Sequence, residues 1–155
     1  AFDSLTYFDK RSLLYVLSPA HSANPSRIAS ILGNVMSLQV VSRINEKVFE
    51  VTVTGEYSIT EMRGIVDLVR SNCDQHELEL AFVDCRNMTG TMTEAERFAG
   101  GQRVAEVLGS DINCVLIMPV GQVTKLGELA AVNRGARFLA TDDHTEAIQW
   151  LMSDD

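Results

Sequence analysis

The segment FEVTVTGEYS, residues 49–58, joins the pattern of a β-strand to that of a helix start. Phe49, Val51 and Val53 alternate with polar or small residues, and this period of two is typical of a strand with one buried face. Ser58 precedes Glu61 by three residues, a spacing that predicts a capping box at the N-terminus of a helix. The segment therefore predicts a strand that leads directly into a helix.

Strand and helix patterns continue on both sides of this segment. Upstream, residues 38–44 are joined to a strand at 48–54 through Asn45-Glu46, a connection typical of a hairpin. Strand–helix–strand crossovers are right-handed, and they place helices against a mostly parallel sheet. The sequence thus predicts an α/β fold with a mixed, mostly parallel five-stranded sheet and four helices, in the order β-β-α-β-α-β-α-β-α. The remaining strands are predicted at residues 78–83, 114–118 and 138–140, and the apolar stripes of the helices lie within residues 59–69, 95–108, 123–130 and 147–151.

The second predicted helix contains the pair Gly100-Gly101. Each glycine weakens a helix interior by about 1 kcal/mol, so the pair indicates either a kink or the close approach of a ligand or partner. Two pairs have the spacing to cap this helix, Thr91 with Glu94 and Thr93 with Glu96. The inner faces of the second and third helices are predicted to consist of Ala95, Phe98, Ala105 and Leu108, and of Val123, Leu126, Leu129 and Ala130.

Residues 1–36 differ in character from residues 37–155, and we predict an N-terminal extension followed by a single domain. The extension contains a strand-like run at residues 12–17 and a short helix pattern that starts at Asn24-Pro25. A flexible arm is the alternative. The apolar run at residues 13–17 resembles the start of a secretion signal, but it is shorter than the about 7–15 residues that such a signal needs.

The composition excludes several classes of function. The 155 residues carry 13 Lys+Arg against 21 Asp+Glu, a net charge of −8, which disfavours binding to nucleic acid or to an anionic membrane. The three cysteines form no CxxC pair, and we therefore expect a reducing, cytoplasmic location without disulfides. The three histidines are far apart in the sequence, and no stretch has the spacing of metal ligands. We expect neither a metal nor a cofactor.

Three further segments carry a resemblance to a known family. FVDCR at residues 82–86 looks like a central strand that ends in an aspartate, and FEVTVTGEYS looks like a second strand entering a first helix. NRGARF at residues 133–138 and EAIQWL at residues 146–151 are similar to the C-terminal part of small bacterial STAS/SEC14-like proteins. Over residues 38–152, the chain resembles the STAS-like (SpoIIAA-like) family.

The resemblance implies a non-enzymatic role in binding a protein partner or a small ligand. In the anti-sigma antagonist branch of the family, a serine at the start of the second helix is phosphorylated, within an Asp-Ser-Ser-Gly motif. The corresponding stretch here is NMTGTMT, residues 87–93, which has no serine. Thr91 or Thr93 could take that phosphate instead, because a helix N-terminus offers free N–H groups and the positive end of the helix dipole.

The carboxyl ends of parallel strands are where open α/β sheets bind ligands, and several polar residues are predicted there. Asp84 and Arg86 could orient a polar ligand there, or they could pair with neighbouring loops and helix ends. Cys85 is either a reactive thiol near a helix N-terminus or an inert buried one. The candidate residues for binding a partner or ligand are Asp84, Arg86, Thr89, Thr91, Thr93 and Arg97.

These observations favour a regulatory module that binds a protein partner through the loop and helix beginning near Thr89. The alternative is a carrier or sensor of a small apolar ligand, which would require a cavity. An enzyme that uses Asp84 or Cys85 is disfavoured, because no set of nucleophile, base and acid is readable. A homodimer would be common for a small domain. The carrier's cavity would be lined by Phe82, Phe98, Leu116 and Leu129.

Overall fold

The hairpin predicted from residues 38–54 forms one edge of a five-stranded sheet. The computed structural model describes residues 6–8, 14–16 and 37–153. Strand β3 (Leu38–Asn45) pairs antiparallel with β4 (Val48–Glu56), with Leu38 opposite Gly55 and Asn45 opposite Val48. Glu46 lies between them with a φ of 54°, which a tight turn between twisted strands requires.

The other three strands continue the sheet in parallel. They are β5 (Leu80–Thr89), β6 (Asn113–Ile117) and β7 (Phe138–Thr141), and the order across the sheet is β3-β4-β5-β6-β7. The described helices are α1 (Ile59–His76), α2 (Glu94–Val107), α3 (Leu126–Val132) and α4 (His144–Leu151). The predicted mixed α/β sheet with four helices, and the order of the elements, are confirmed. No helix in the described part of the chain is long and apolar enough to cross a membrane.

Helices cover the two faces of the sheet unequally. On one face, which we call the α1–α3 face, Phe49, Val51 and Val53 pack with buried residues of the first three helices. On the opposite face, the α4 face, Phe82 and Val115 pack against Ala147 and Leu151. The alternation read from FEVTVTGEYS therefore gives the correct buried side for β4, since side chains of a strand alternate between the faces.

Strand β5 is longer than the predicted run at residues 78–83. It continues to Thr89 because β4 also continues to Glu56 and supplies backbone partners for it. Thr52 lies opposite Asp84 and Thr54 lies opposite Asn87, so β5 has one residue more than β4 over this interval. The extra residue makes a β-bulge, a feature that redirects side chains locally.

The first helix does not have the predicted capping box. Ser58 occupies the N-cap position of α1, but its side chain makes no capping hydrogen bond. The Glu61 carboxylate instead accepts hydrogen bonds from the Ser37 hydroxyl and from the Leu38 N–H. The reason is tertiary: β3 starts beside α1, and its first N–H needs an acceptor where the site is partly buried.

The buried faces of α2 and α3 agree only in part with the predicted stripes, of which Leu108 and Ala130 are buried as predicted. The buried residues are Gly101 and Val104 in α2, and Ala130 and Ala131 in α3. Ala95 is exposed, Phe98 is 38% exposed and Leu129 is 52% exposed. The large side chains of Phe98 and Leu129 point outward because small residues lie where the two helices meet.

Gly101 explains how the two helices come so close. A Cβ added to Gly101 would lie 2.0 Å from the carbonyl oxygen of Gly127, and a Cβ on Gly127 would lie 2.9 Å from the carbonyl oxygen of Arg97. The sequence suggested a kink or the close approach of a ligand or partner, and the structure shows instead the close approach of another helix of the same chain.

Two short strands precede the sheet. β1 (Thr6–Phe8) pairs antiparallel with β2 (Leu14–Val16), with Tyr7 opposite Tyr15. β2 falls within the strand predicted at residues 12–17, whereas β1 has no counterpart among the predicted strands. The helix predicted from Asn24-Pro25 lies outside the described residues. The division into residues 1–36 and 37–155 stays a prediction.

Candidate functional site

Asp84 and Arg86 pair with each other on β5. The Arg86 guanidinium donates from Nε to Asp84 Oδ1 at 3.0 Å and from Nη2 to Oδ2 at 2.7 Å, a bidentate ion pair. The hydrogen bonds from Arg86 hold the pKa of the Asp84 carboxyl below its usual range. The two side chains pair with each other rather than with a neighbouring loop or helix end, and a role of the pair in orienting a polar ligand stays a prediction.

The pair lies on the α4 face of the sheet. Asp84 lies two residues after Phe82 on β5, so the two side chains are on the same face of the sheet. The Phe82 ring meets the ring of His144 edge-on, with 5.7 Å between the ring centroids. His144 lies near enough to make a minor further contribution to the lowered pKa of Asp84. The pair is therefore on the opposite side of the sheet from α2, and the structure separates it from the other candidates.

The loop between β5 and α2 carries the three threonines. Thr89, Thr91 and Thr93 are all exposed. Thr89 ends β5 and its hydroxyl donates to the carbonyl of Gly55 at 3.2 Å. Gly90 follows with a φ of +83°, a conformation that other residues adopt only with strain. We call residues 89–93 the threonine loop.

Thr93 is the residue that caps α2. Its Oγ1 accepts from the N–H of Glu96 at 3.2 Å, and the Glu96 carboxylate accepts from the N–H of Thr93 at 2.8 Å. These two bonds complete a capping box, so the spacing of Thr93 and Glu96 gave the correct cap and that of Thr91 and Glu94 did not. Hydrogen bonds from Thr93 also lower the pKa of Glu96. Thr91 remains outside the helix.

Arg97 is turned inward from the first turn of α2. Its side chain is only 10% exposed, and its Nε has no hydrogen-bond partner among the described residues. The Tyr57 hydroxyl, between β4 and α1, also lacks a described partner. Burial, first of all, raises the pKa of Tyr57 to about 12. Both groups line a pocket of about 100 Å³ where α1, α2 and α3 meet.

Sequence reasoning did not single out Tyr57. The available signal was its position directly before the N-cap Ser58, with Met62 five residues further on. This is the spacing of a hydrophobic staple, in which the residue before the cap packs near the fourth residue of the helix. Tyr57 and Met62 indeed line the same pocket.

A second cavity is larger. This groove of about 590 Å³ lies between β3, α1 and α2. Leu38 and Ile65 contribute apolar surface to it, and Glu61, Asp67 and Arg103 make part of its wall polar. Arg103 Nη2 is paired with Asp67 Oδ1 at 2.6 Å, so these charges are already compensated.

Comparison with known proteins gives a fold rather than a sequence family. No protein-family model matches the chain, and no curated protein sequence matches it. The crystal structure of an anti-sigma factor antagonist from Mycobacterium paratuberculosis superposes with a TM-score of 0.53 and 11% sequence identity. The superposition covers 76% of this chain and 96% of that one. The chain has a STAS-like fold.

Within this STAS-like fold, the carboxyl ends of β6 and β7 are occupied by the chain's own polar contacts. Asp84, Ile117 and Thr141 lie side by side in register, as the predicted ligand edge requires. The Thr141 hydroxyl, however, hydrogen-bonds with the Glu146 carboxylate and accepts from the Asp143 N–H at 3.0 Å. The Thr141 hydroxyl at this edge therefore serves the start of α4.

The three cysteines of the STAS-like domain are free and buried. Burial raises the pKa of Cys85 far above its usual range, that of Cys114 to about 12 and that of Cys73 to about 11. A thiol with a raised pKa carries little thiolate near neutral pH, and the thiolate is the reactive form. Of the two alternatives for Cys85, the structure favours the inert buried thiol.

The residues expected to line an apolar carrier cavity do not come together. Phe82 packs on the α4 face, whereas Phe98 and Leu129 are exposed on α2 and α3. Leu116 alone among the four lines the pocket beneath α2. That cavity prediction was wrong because helical spacing does not reveal which side of a helix faces its neighbour. In residues 37–153, no group of three His, Cys, Asp or Glu side chains is arranged to hold a metal.

Proposed function

We propose that the chain is a non-enzymatic regulatory module that binds a protein partner through the threonine loop and the first turn of α2. The observation that carries this proposal is the exposure of the loop on a rigid support. Thr89, Thr91 and Thr93 face solvent, while the backbone on either side is fixed by the Thr93–Glu96 capping box and by a 2.8 Å bond from the Tyr57 N–H to the Thr89 carbonyl.

The STAS-like fold adds support for a regulatory role. The similar structure described above is an anti-sigma factor antagonist, a protein whose role is to act on another protein. The candidate surface of this chain lies at the start of its second helix, where relatives in the antagonist branch carry the phosphorylated serine. The alternative of a carrier for an apolar ligand has less support, because its expected cavity does not form.

A phosphate on the threonine loop would have different effects at its two candidate threonines. The Thr93 hydroxyl is bonded to the Glu96 carboxylate, so a phosphate there would bring two negative groups together and remove the cap. Thr91 is exposed two residues earlier and is not the capping residue. We propose Thr91 as the residue better placed for phosphorylation.

Co-purification from the native host tests the proposed surface. T91E should reduce the recovery of a bound protein at least about tenfold, since a charge buried without a partner at an interface costs several kcal/mol. T145E is the matched control, because Thr145 is an exposed threonine in the first turn of α4. Equal recovery with T91E and wild type would show that the surface is the wrong one.

A further inference from the structure

The pocket beneath α2 combines apolar walls with polar groups that have no described partner. Its apolar walls come from three elements of the α1–α3 face and from the sheet below them, including Val66, Met92, Val104, Leu116 and Met118. Such a setting, an apolar concavity with a few converging polar groups, is typical of small-molecule sites.

Two hydrogen-bond donors in this pocket are unsatisfied. The Tyr57 hydroxyl and Arg97 Nε are buried atoms, and neither has a partner among the described residues. Both groups line the same small pocket. A guanidinium can only donate, and a buried donor without an acceptor costs free energy. The pair therefore calls for an acceptor that residues 37–153 do not provide.

The acceptor should be negatively charged. The carboxylate closest to Arg97 Nε is Glu94 Oε1 at 3.7 Å, too far for a hydrogen bond, and the Glu94 side chain is mostly exposed. The two carboxylates that line the pocket are engaged elsewhere. Glu96 bonds to Thr93, and Glu128 accepts from Lys125 Nζ at 2.8 Å and from the Ala140 N–H at 2.9 Å.

The arginines at the rim do not compete for this role. Arg103 is paired with Asp67 at 2.6 Å, and Arg63 is exposed to solvent. Arg97 is therefore the buried cation of the pocket whose own ion pair is weak. A bound carboxylate would gain a charge-assisted hydrogen bond from it and a second bond from Tyr57.

We propose that this pocket binds a small organic acid, with its carboxylate between Tyr57 and Arg97 and its apolar tail against Met92 and Met118. The volume of about 100 Å³ limits the tail to a few carbons. An engineered apolar cavity of about 150 Å³ accommodates benzene, whereas drug-sized sites measure about 300–1,000 Å³. The site shares Met92 with the threonine loop and Arg97 with the first turn of α2, but its test measures the binding of a small acid and needs no protein partner.

A titration with short carboxylic acids tests this proposal. In protein labelled with ¹³C at the methionine methyl groups, butyrate should shift the NMR signals of Met92 and Met118 saturably, and hexanoate should bind more weakly because its longer tail exceeds the pocket. Met152, exposed after the end of α4, should not move and serves as the internal reference. 1-Butanol and 1-hexanol have the same tails without the charge, and they should bind at least about tenfold more weakly.

Substitutions then assign the carboxylate to its two donors. R97M should weaken carboxylate binding at least about tenfold, and Y57F by about two- to tenfold. R134M is the matched control and should bind like wild type, because Arg134 lies over the Phe98 ring outside the pocket.

Three results would overturn the proposal: no saturable shift with any of the acids, alcohols that bind as tightly as the acids, or an R97M protein that binds like wild type. If R97M fails to fold, the comparison of acids with alcohols on the wild-type protein decides alone.

Discussion

At the residue scale, the role of each polar side chain depends on its hydrogen-bond partner. Thr93 finds Glu96 three residues away, a local contact that sequence spacing can predict. Glu61 instead bonds to Ser37 and Leu38 across the sheet edge, a contact more than twenty residues away in the chain. The spacing of residues in the sequence cannot predict such a contact, because the Glu61 carboxylate can accept hydrogen bonds either in a local capping box or from residues that are distant in the chain. Tyr57 escaped detection for the same reason, since the pocket that it shares with Arg97 exists only after α1 and α2 pack.

The capping box of α2 gives a stability prediction. T93A removes the acceptor for the Glu96 N–H and should lower the free energy of unfolding by about 1 kcal/mol. T91A changes an exposed threonine that caps nothing and should alter it by less than about 0.5 kcal/mol. Urea unfolding of both variants measures the difference. Equal losses for the two would mean that Thr93 is not the cap.

The buried thiols give a prediction for alkaline pH. Their pKa values are raised in the folded protein, so their contribution to stability is complete below the ordinary thiol pKa of about 8.5 and is lost as pH rises beyond it. Tyr57, with a pKa of about 12, acts in the same direction above about pH 10. The free energy of unfolding should therefore fall steadily from pH 9 to pH 11.

Alkylation by iodoacetamide at pH 8 provides an independent check on the same thiols. Cys73, Cys85 and Cys114 should react only when urea unfolds the protein. Rapid alkylation of Cys85 in the native protein would contradict the buried, protonated thiol described here.

At the scale of elements, the two glycines of α2 lie in different surroundings. Gly101 allows α3 to approach, whereas a Cβ on Gly100 would meet nothing within 4 Å. Two adjacent glycines are unusual in a helix interior, and the sequence indicated either a kink in α2 or a close approach to it there. It could not show that α3 makes this approach, because helical periodicity gives no distance between helices. Strand β5 shows the same limit, since its length depends on the backbone groups that β4 offers as far as Glu56.

The two glycines should respond to alanine with opposite signs. G101A places a methyl group 2.0 Å from the Gly127 carbonyl oxygen and should destabilise the protein by about 1–3 kcal/mol or more. G100A adds a methyl in open space on a helix and should stabilise it by about 0.5–1 kcal/mol. Thermal unfolding of both variants provides the measurement. A neutral G101A would contradict the close packing of α2 and α3.

At the scale of the whole molecule, the sheet divides the candidate residues between its two faces. The Asp84–Arg86 pair lies on the α4 face, and the threonine loop leads from the end of β5 to α2 on the α1–α3 face. The order of elements, the mixed sheet and the buried side of β4 could be predicted from the sequence, because they follow from periodicity and local turns. Which candidate site residues lie on the same face of the sheet could not be predicted from the sequence, because it depends on how strands and helices pack in three dimensions.

Site-specific photo-crosslinking in the native host reports whether the threonine loop contacts a protein partner. A benzophenone amino acid placed at Thr91 samples this loop, and the same group at Thr145 samples the start of α4 as a control. Irradiation in cells of the native host should give one discrete protein adduct from position 91 and none from position 145. No adduct at position 91, or the same adduct at both positions, would contradict the proposal that this loop binds the partner.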